Sequence, residues 1–233
     1  MNRATSIKRI TRLLWILVWV LVTIGVAMVI RRVLILAGVL RSVSPGGGPP
    51  FDTGFGKHPF ITLLHILPGL LFMLLGPLQF MPGWRARHPS FHRRSRIVFI
   101  IASYIVGVSA LCMPFIMSPI GGLNEAAGSI LFALFFLTAL SQWVRHLRMI
   151  SGAGRESVEE RESAAAREWM IRAFAIGLAI ATVRPIMVLF FAFSHLPPSV
   201  FFGTAFWIGF TLHLIAAEVW INYTRGAPGS GID

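Results

Sequence analysis

The stretch FITLLHILPGLLFMLLGPLQFM, residues 60–81, contains no charged side chain and is apolar at nearly every position. An α-helix needs about 20 such residues to cross the hydrocarbon core of a bilayer. A surface helix of a soluble protein is usually shorter and carries polar residues along one side. This stretch therefore predicts a transmembrane helix, and it decides the class of the protein.

Five other runs of similar character lie elsewhere in the chain. The six predicted spans are residues 13–30, 60–81, 97–118, 127–143, 169–193 and 200–223. Residues 144–168 are rich in Arg and Glu at helical spacing, and we interpret them as a cytoplasmic helical loop. We therefore predict an all-α fold, a polytopic bundle of about six transmembrane helices, with residues 1–233 forming one membrane domain.

The composition agrees with this class. Hydrophobic residues make up 55% of the chain and charged residues only 13%, against roughly 25% charged residues in a soluble protein. The net charge is +12, but the basic residues lie in short loops between apolar runs. This pattern favours anionic lipid headgroups as partners of the cytoplasmic loops, beside the lipid bilayer itself, and argues against nucleic acid. The only cysteine, Cys112, excludes a disulfide within the chain.

The distribution of basic residues also predicts the orientation. Most of them flank the start of the first span, the loops after the second and fourth spans, and the end of the sixth. Because cytoplasmic loops are enriched in Lys and Arg, both termini are predicted in the cytoplasm. The first apolar run is longer than the core of a signal peptide and is followed by Arg31 and Arg32, so we predict that it is not cleaved.

The second span carries a polar face. His65, Gly69, Phe72, Gly76 and Gln79 follow one another at steps of three or four and therefore share one side of a helix. Glycines on such a face let a second helix approach closely. The sequence is consistent with two interpretations: a packing face whose polar groups bond to neighbouring helices, or a face that lines a ligand site.

The fifth and sixth spans contain ionisable residues, which are costly in a membrane and usually face the bundle interior. Arg172 and Glu218 fall at similar depths, so we predict an ion pair between them. Arg184 lies deeper, where no predicted span offers a carboxylate. Its expected partners are backbone carbonyls, His65 or an anionic ligand.

The sixth span has two different faces. We predict that its polar face points into the bundle, together with Glu218, and that His213 packs on nearly the opposite side. The polar face comprises Thr204, Trp207, Thr211, Glu218 and Asn222.

Several of these segments also resemble a known family. They are His65–Phe80 (HILPGLLFMLLGPLQF), His92–Phe99 (HRRSRIVF), Glu168–Pro185 (EWMIRAFAIGLAIATVRP) and the pair Ala217–Glu218. Together they resemble the bacterial predicted membrane proteins catalogued as domain of unknown function 2306, over residues 58–222. The resemblance implies the membrane fold, a location in the bacterial plasma (inner) membrane and a site list, but no activity. The implied site residues are His65, Gln79, His92, Arg93, Trp169, Arg172, Arg184 and Glu218. The chain departs from the family pattern at Ala166, where a histidine is frequent, and at His213, where an asparagine is frequent.

The leading functional hypothesis is that a small ligand binds, or moves through, a cavity between the second, fifth and sixth spans. The candidate ligand-binding residues are His65, Gln79, Arg172, Arg184 and Glu218. No phosphate-binding glycine loop, nucleophile elbow or zinc-protease motif is present, so the sequence does not favour an enzyme and predicts no metal site. Two alternatives stay open: a haem-linked oxidoreductase, with His65 and His195 or His92 and His146 as axial ligands, and a non-catalytic subunit or scaffold.

Overall fold

The computed structural model describes residues 3–41, 53–152 and 156–225. In this part of the chain every regular element is an α-helix, which confirms the predicted all-α class. The helices are α1 (Arg3–Leu36), α2 (Thr53–Lys57), α3 (Pro59–Gln79), α4 (Pro82–Arg87), α5 (Pro89–Ile116), α6 (Gly122–Gly152), α7 (Glu156–Phe193) and α8 (Pro198–Thr224).

Six of these helices are long and apolar enough to span a membrane: α1, α3, α5, α6, α7 and α8. Between 17% and 44% of the residues in the most apolar window of each are buried. Most of their apolar side chains therefore face outward, as expected of helices that lipid surrounds.

Proline sets the start of four helices. It occupies the first turn of α3, α4, α5 and α8, where a missing N–H leaves no hydrogen bond unmade. As a result α5 begins at Pro89, ahead of the predicted span at residue 97, and His92 and Ser95 lie on a helix. The predicted helical loop at residues 144–168 includes residues 153–155, which are outside the described part of the chain.

The long helices pack in chain order around α7. α3 packs against α5, α5 against α6, and α6 against α7 and α8, while α1 contacts α3 and α7. α8 packs mainly against α6 and α7, so it lies at the edge of the bundle. We call the end of the bundle where α3 and α8 finish the inner end, and the opposite end the outer end.

A layer of aromatic rings fills the middle of the bundle. Phe72 on α3 stacks on Phe99 with 5.0 Å between ring centroids and lies 5.6 Å from Phe136 and 5.7 Å from Phe174. Gly177 on α7 makes room for the Phe72 ring, since a Cβ atom there would overlap it. Phe72 is 2% exposed, so close packing rather than open space joins α3 to α7 at this level.

Candidate functional site

The five candidate residues lie at two different ends of the bundle. His65 and Gln79 are separated by about 21 Å along α3 at the helical rise of about 1.5 Å per residue. Arg172 and Arg184 are separated by about 18 Å along α7 in the same way. Gln79, Arg172 and Glu218 therefore form an inner group, and His65 and Arg184 an outer group.

At the inner end, α7 and α8 are joined by an ion pair. Arg172 donates from Nε to Glu218 Oε1 at 2.5 Å and from Nη2 to Glu218 Oε2 at 3.0 Å. The Arg172 guanidinium also lies over the ring of Trp169, 4.7 Å from its centroid. Two parallel hydrogen bonds fix both the distance and the angle between the side chains. The ion pair that the sequence predicts is therefore present.

Two further charges extend this pair. Arg225, just beyond α8, donates two hydrogen bonds to Glu168, at 3.0 Å and 2.8 Å. Arg172 Nη1 lies 3.8 Å from the same carboxylate. The hydrogen bonds to Glu168 raise the pKa of Arg225 above its ordinary value, so Arg225 is charged at any physiological pH. Charges of alternating sign thus tie the inner ends of α7 and α8 together.

A second polar cluster lies between α3 and α5 at the inner end. Gln79 Nε2 donates to Ser95 Oγ at 3.3 Å, and Ser95 Oγ donates to the His92 carbonyl at 3.0 Å. Gln79 Oε1 and His92 Nδ1 are both buried, and neither has a hydrogen-bond partner in the part of the chain that the structure describes. A buried polar atom without a partner costs about 1–3 kcal/mol. The cluster is therefore incomplete as the protein alone supplies it.

The surroundings of this cluster are basic. The side chain of His92 is 7% exposed, and the charges of Arg85 and Arg96 act on its ring. Gln79 Oε1 can only accept a hydrogen bond, whereas Nδ1 of a neutral histidine accepts or donates according to its tautomer. A molecule bound here must therefore donate to Gln79, and nearby positive charge favours an acceptor or negative group on the same molecule.

At the outer end, Arg184 lies near an acidic residue. Its charge acts on the carboxylate of Glu125, which also accepts a hydrogen bond from the Gly121 N–H at 2.7 Å. The predicted spans did not include Glu125, because the fourth span was predicted to begin at residue 127, whereas α6 begins at Gly122 and places Glu125 in its first turn.

His65 does not bond to Arg184 in any described contact. Its Nδ1 atom lies 2.9 Å from Ser109 Oγ on α5, and Ser109 Oγ donates to the Val106 carbonyl at 3.0 Å. The polar face of α3 thus meets α5 at both ends, through Ser109 at the outer end and Ser95 at the inner end.

The predicted polar face of α8 is divided. Trp207 packs on α6, with its ring 5.3 Å from that of Phe132, whereas most of the other residues of this face point away from the bundle. Gly209 packs against α7, where a Cβ atom would lie 3.0 Å from Val183, and His213 Nε2 lies 2.7 Å from Thr182 Oγ1. Thr204, Thr211 and Asn222 are exposed, on the other side of the helix. Glu218 lies at the edge of that face with 45% of its side chain exposed, and it reaches Arg172 from there.

The sequence profile of the predicted membrane proteins DUF2306 matches residues 62–221. The chain belongs to this family. No curated protein and no solved structure gives a significant match. The DUF2306 region runs from α3 into the last turn of α8 and contains all five candidate residues, whereas α1 lies outside it.

Within this DUF2306 region the structure brings together one pair of the five candidates, Arg172 and Glu218. Four residues that complete the two ends were not predicted from the sequence: Ser95, Ser109, Glu125 and Glu168. A signal existed for Glu168, which precedes Arg172 by one helical turn, a spacing at which opposite charges meet. Ser109 gave none, because a serine in an apolar run is usually satisfied by its own helix backbone. Ser95 gave none, because it lies among arginines ahead of the predicted third span.

The positions of the histidine and acidic side chains bear on the metal and haem alternatives. No group of three or more His, Cys, Asp or Glu residues that could hold a metal ion occurs in the described ranges. For the haem alternative, His92 and His146 lie at different depths. The contacts of Phe99 with Trp143 and of Tyr104 with Ser141 set the antiparallel register of α5 and α6. This register offsets the two histidines by about 8 Å at the helical rise. Bis-histidine ligation needs two imidazoles at one depth.

Proposed function

We propose that this multi-pass protein of the bacterial inner membrane, with both termini in the cytoplasm, binds a small polar ligand at the inner end of α3 and α5. Gln79 and His92 are the residues that would contact the ligand. The observation that carries the proposal is the pair of buried atoms Gln79 Oε1 and His92 Nδ1, which lack partners among the described residues and are linked through Ser95.

This site differs from the cavity between the second, fifth and sixth spans that the sequence suggested. Between α3 and α7 the Phe72 ring occupies the space over Gly177. At the inner end, by contrast, a ligand with one donor and one acceptor group would complete both orphaned atoms. Arg172 and Glu218 would act at the same end by holding α7 against α8, and His65 and Arg184 stay candidate ligand residues of the outer group.

Analysis of the small molecules that purify with the protein tests this proposal. Wild-type protein is purified in mild detergent and denatured in methanol, and the released compounds are quantified by mass spectrometry. We expect one compound in amounts comparable to the protein, and at least about ten-fold less of it from Gln79→Leu or His92→Phe, since each loses one ligand bond. Gln142→Leu, the same change on α6, is the matched control and should retain the compound.

Equal release from all four proteins, or release of no compound above a mock purification, would overturn the proposal. Size-exclusion profiles and melting curves of each variant establish that it is folded before release is compared. The use of two variants on different helices guards against a folding defect in either one.

We also propose that an anionic phospholipid binds at the inner rim of α5 and α6. A cavity of about 450 Å³ lies there, lined by Tyr104, Ser141, Val144, Arg145, Arg148 and Met149. Tyr104 Oη and Ser141 Oγ lie 3.1 Å apart on its deeper side. Ser141, Arg145 and Arg148 share one face of α6, so two arginines stand above a hydroxyl pair. Such a groove suits a phosphate beside the arginines and ester carbonyls beside the hydroxyls.

A further inference from the structure

The outward face of α8 carries a regular pattern. Thr204, Ile208, Thr211, Ile215, Glu218 and Asn222 follow at alternating steps of four and three. This is the spacing of the contact positions in a coiled coil, and on one helix it places all six within about 40° of a common line. We call this set the α8 seam.

The α8 seam lies opposite the face that packs on the bundle. Phe202, Ala205, Phe206 and Gly209 are buried on the bundle side. On the seam, Ile208 is 39% exposed and Ile215 is 55% exposed, and Thr204, Thr211 and Asn222 are exposed as well. The seam therefore faces lipid when the chain stands alone in a membrane.

Polar groups on a lipid-facing surface call for a partner helix. Threonine and asparagine side chains at membrane depth hydrogen-bond across helix interfaces, where such residues are enriched. Asn222 Nδ2 donates to the Glu218 carbonyl at 2.9 Å, which leaves one amide proton and the amide oxygen available. Along the seam, threonine thus alternates with isoleucine, and the seam ends in Glu218 and Asn222.

The chemistry of the seam fits a second copy of the same chain. Two copies inserted with the same topology present α8 in parallel, so a two-fold axis along the membrane normal brings each seam residue against its own equivalent. Threonine and asparagine both donate and accept, so each can bond to its own kind, and a single asparagine at such a position is known to fix parallel pairing.

The one charge on the seam does not oppose this arrangement. Glu218 is held by two hydrogen bonds from Arg172 of its own chain. Two copies would therefore bring together two neutral ion pairs instead of two bare carboxylates. A partner with a different sequence would need a matching heptad of its own, whereas the second copy supplies one in register.

We propose that the chain forms a parallel homodimer through the α8 seam, with the threonine and asparagine side chains hydrogen-bonded across the two-fold axis. This proposal does not depend on the ligand proposed at Gln79 and His92. A dimer without bound ligand and a monomer with bound ligand are distinguishable results.

Disulfide cross-linking in native membranes tests the dimer. In a Cys112→Ser background, single cysteines replace Ile208, Thr211 and Ile215, and Leu134→Cys on α6 is the control. Leu134 is 47% exposed, and the stacking of Phe132 on Phe210 places it near the depth of Thr211. With copper phenanthroline, we expect the seam cysteines to give at least about five-fold more cross-linked dimer than the control.

A dilution experiment in liposomes supplies the second readout. Replacement of Thr204, Thr211 and Asn222 by leucine together should raise the dimer dissociation constant at least about ten-fold, since the hydrogen bonds across the seam are lost. These positions are exposed in the monomer, so the fold should stay intact. Seam cysteines that cross-link no more than Leu134→Cys, an adduct of a mass other than twice the chain, or an unchanged dissociation constant would overturn the proposal.

Discussion

Arg172 on α7 and Glu218 on α8 bind each other through two hydrogen bonds, of 2.5 Å and 3.0 Å, at the inner end of the bundle. The two helices belong to the same antiparallel pair, whose connection lies at the outer end, between Phe193 and Pro198. The ion pair therefore closes the end of the pair that the chain itself leaves open. Glu168 and Arg225 repeat the same bond nearer to the membrane surface.

Loss of this ion pair should lower thermal stability. In Glu218→Leu the Arg172 charge keeps its place without its main partner, at a cost of about 1–2 kcal/mol for a partly exposed pair. We expect the melting midpoint in detergent to fall by about 2–6 °C. The exchanged double variant Arg172→Glu with Glu218→Arg should recover part of the loss. The single variants Arg172→Glu and Glu218→Arg are measured beside it. If the stability loss of the double variant equals the sum of the two single losses, the ion pair contributes nothing.

The contact of Phe72 with Gly177 predicts that a larger side chain at position 177 destabilises the protein and that a smaller one at position 72 compensates. Gly177→Leu should overpack the aromatic layer and destabilise the protein by about 1–3 kcal/mol, since a side chain there overlaps the Phe72 ring. Adding Phe72→Ala should restore most of that loss, although Phe72→Ala alone leaves a cavity. Melting of the three variants is the measurement. Equal melting of Gly177→Leu and wild type would contradict the packing of α3 on α7.

The proximity of Arg184 to Glu125 predicts energetic coupling at the outer end. Arg184→Leu and Glu125→Leu should each destabilise the protein, and the double variant should lose less than their sum, by about 0.5–3 kcal/mol. Unfolding of the four proteins in a double-mutant cycle measures this coupling. Strict additivity would mean that the two charges do not interact.

The phospholipid groove predicts selective retention of acidic lipid. Native mass spectrometry of protein extracted with phosphatidylglycerol should show bound lipid that is reduced at least about five-fold in Arg145→Ala with Arg148→Ala, because two charges facing the phosphate are lost. The double variant Arg93→Ala with Arg94→Ala removes two exposed arginines at the same end and serves as the control. If the control loses as much bound lipid as the Arg145 and Arg148 double variant, the lipid is held by general electrostatic attraction to the basic surface and not by a specific site.

Free inorganic phosphate distinguishes the two sources of this ligand chemistry. If phosphate at millimolar concentration displaces the retained lipid from wild type, the arginines recognise the anion alone and not the lipid. Unchanged retention supports the lipid site.

The helices themselves were predictable because a bilayer demands long apolar runs. The predicted span at 60–81 and the observed α3, Pro59–Gln79, agree closely. The boundaries of α5 and α6 were not predictable from hydropathy, since both helices extend beyond their apolar runs. That extension is what brings Ser95 and Glu125 into the two polar groups.

The orientation of α8 shows a physical limit of the sequence argument. Spacing alone established that Thr204, Thr211 and Glu218 share one side, opposite to His213. Spacing did not establish which side faces the bundle. Lipid and the interior of the bundle are both apolar, so hydrophobicity does not distinguish a lipid-facing side from a buried one. Polar residues were therefore expected inside, whereas the structure packs Gly209 and His213 inward, where small size and the Thr182 contact decide. The predicted ion pair of Arg172 with Glu218 is confirmed. Its prediction needed only the similar depth of the two residues in their spans.

The most direct test of the proposed ligand site is an experimental density map of the wild-type protein in a lipid nanodisc. It is examined at the inner end between α3 and α5. The account predicts density that belongs to no residue of the chain, within hydrogen-bond distance of both Gln79 Oε1 and His92 Nδ1. Those two atoms bonded to other groups of the protein, with no additional density between them, would contradict it.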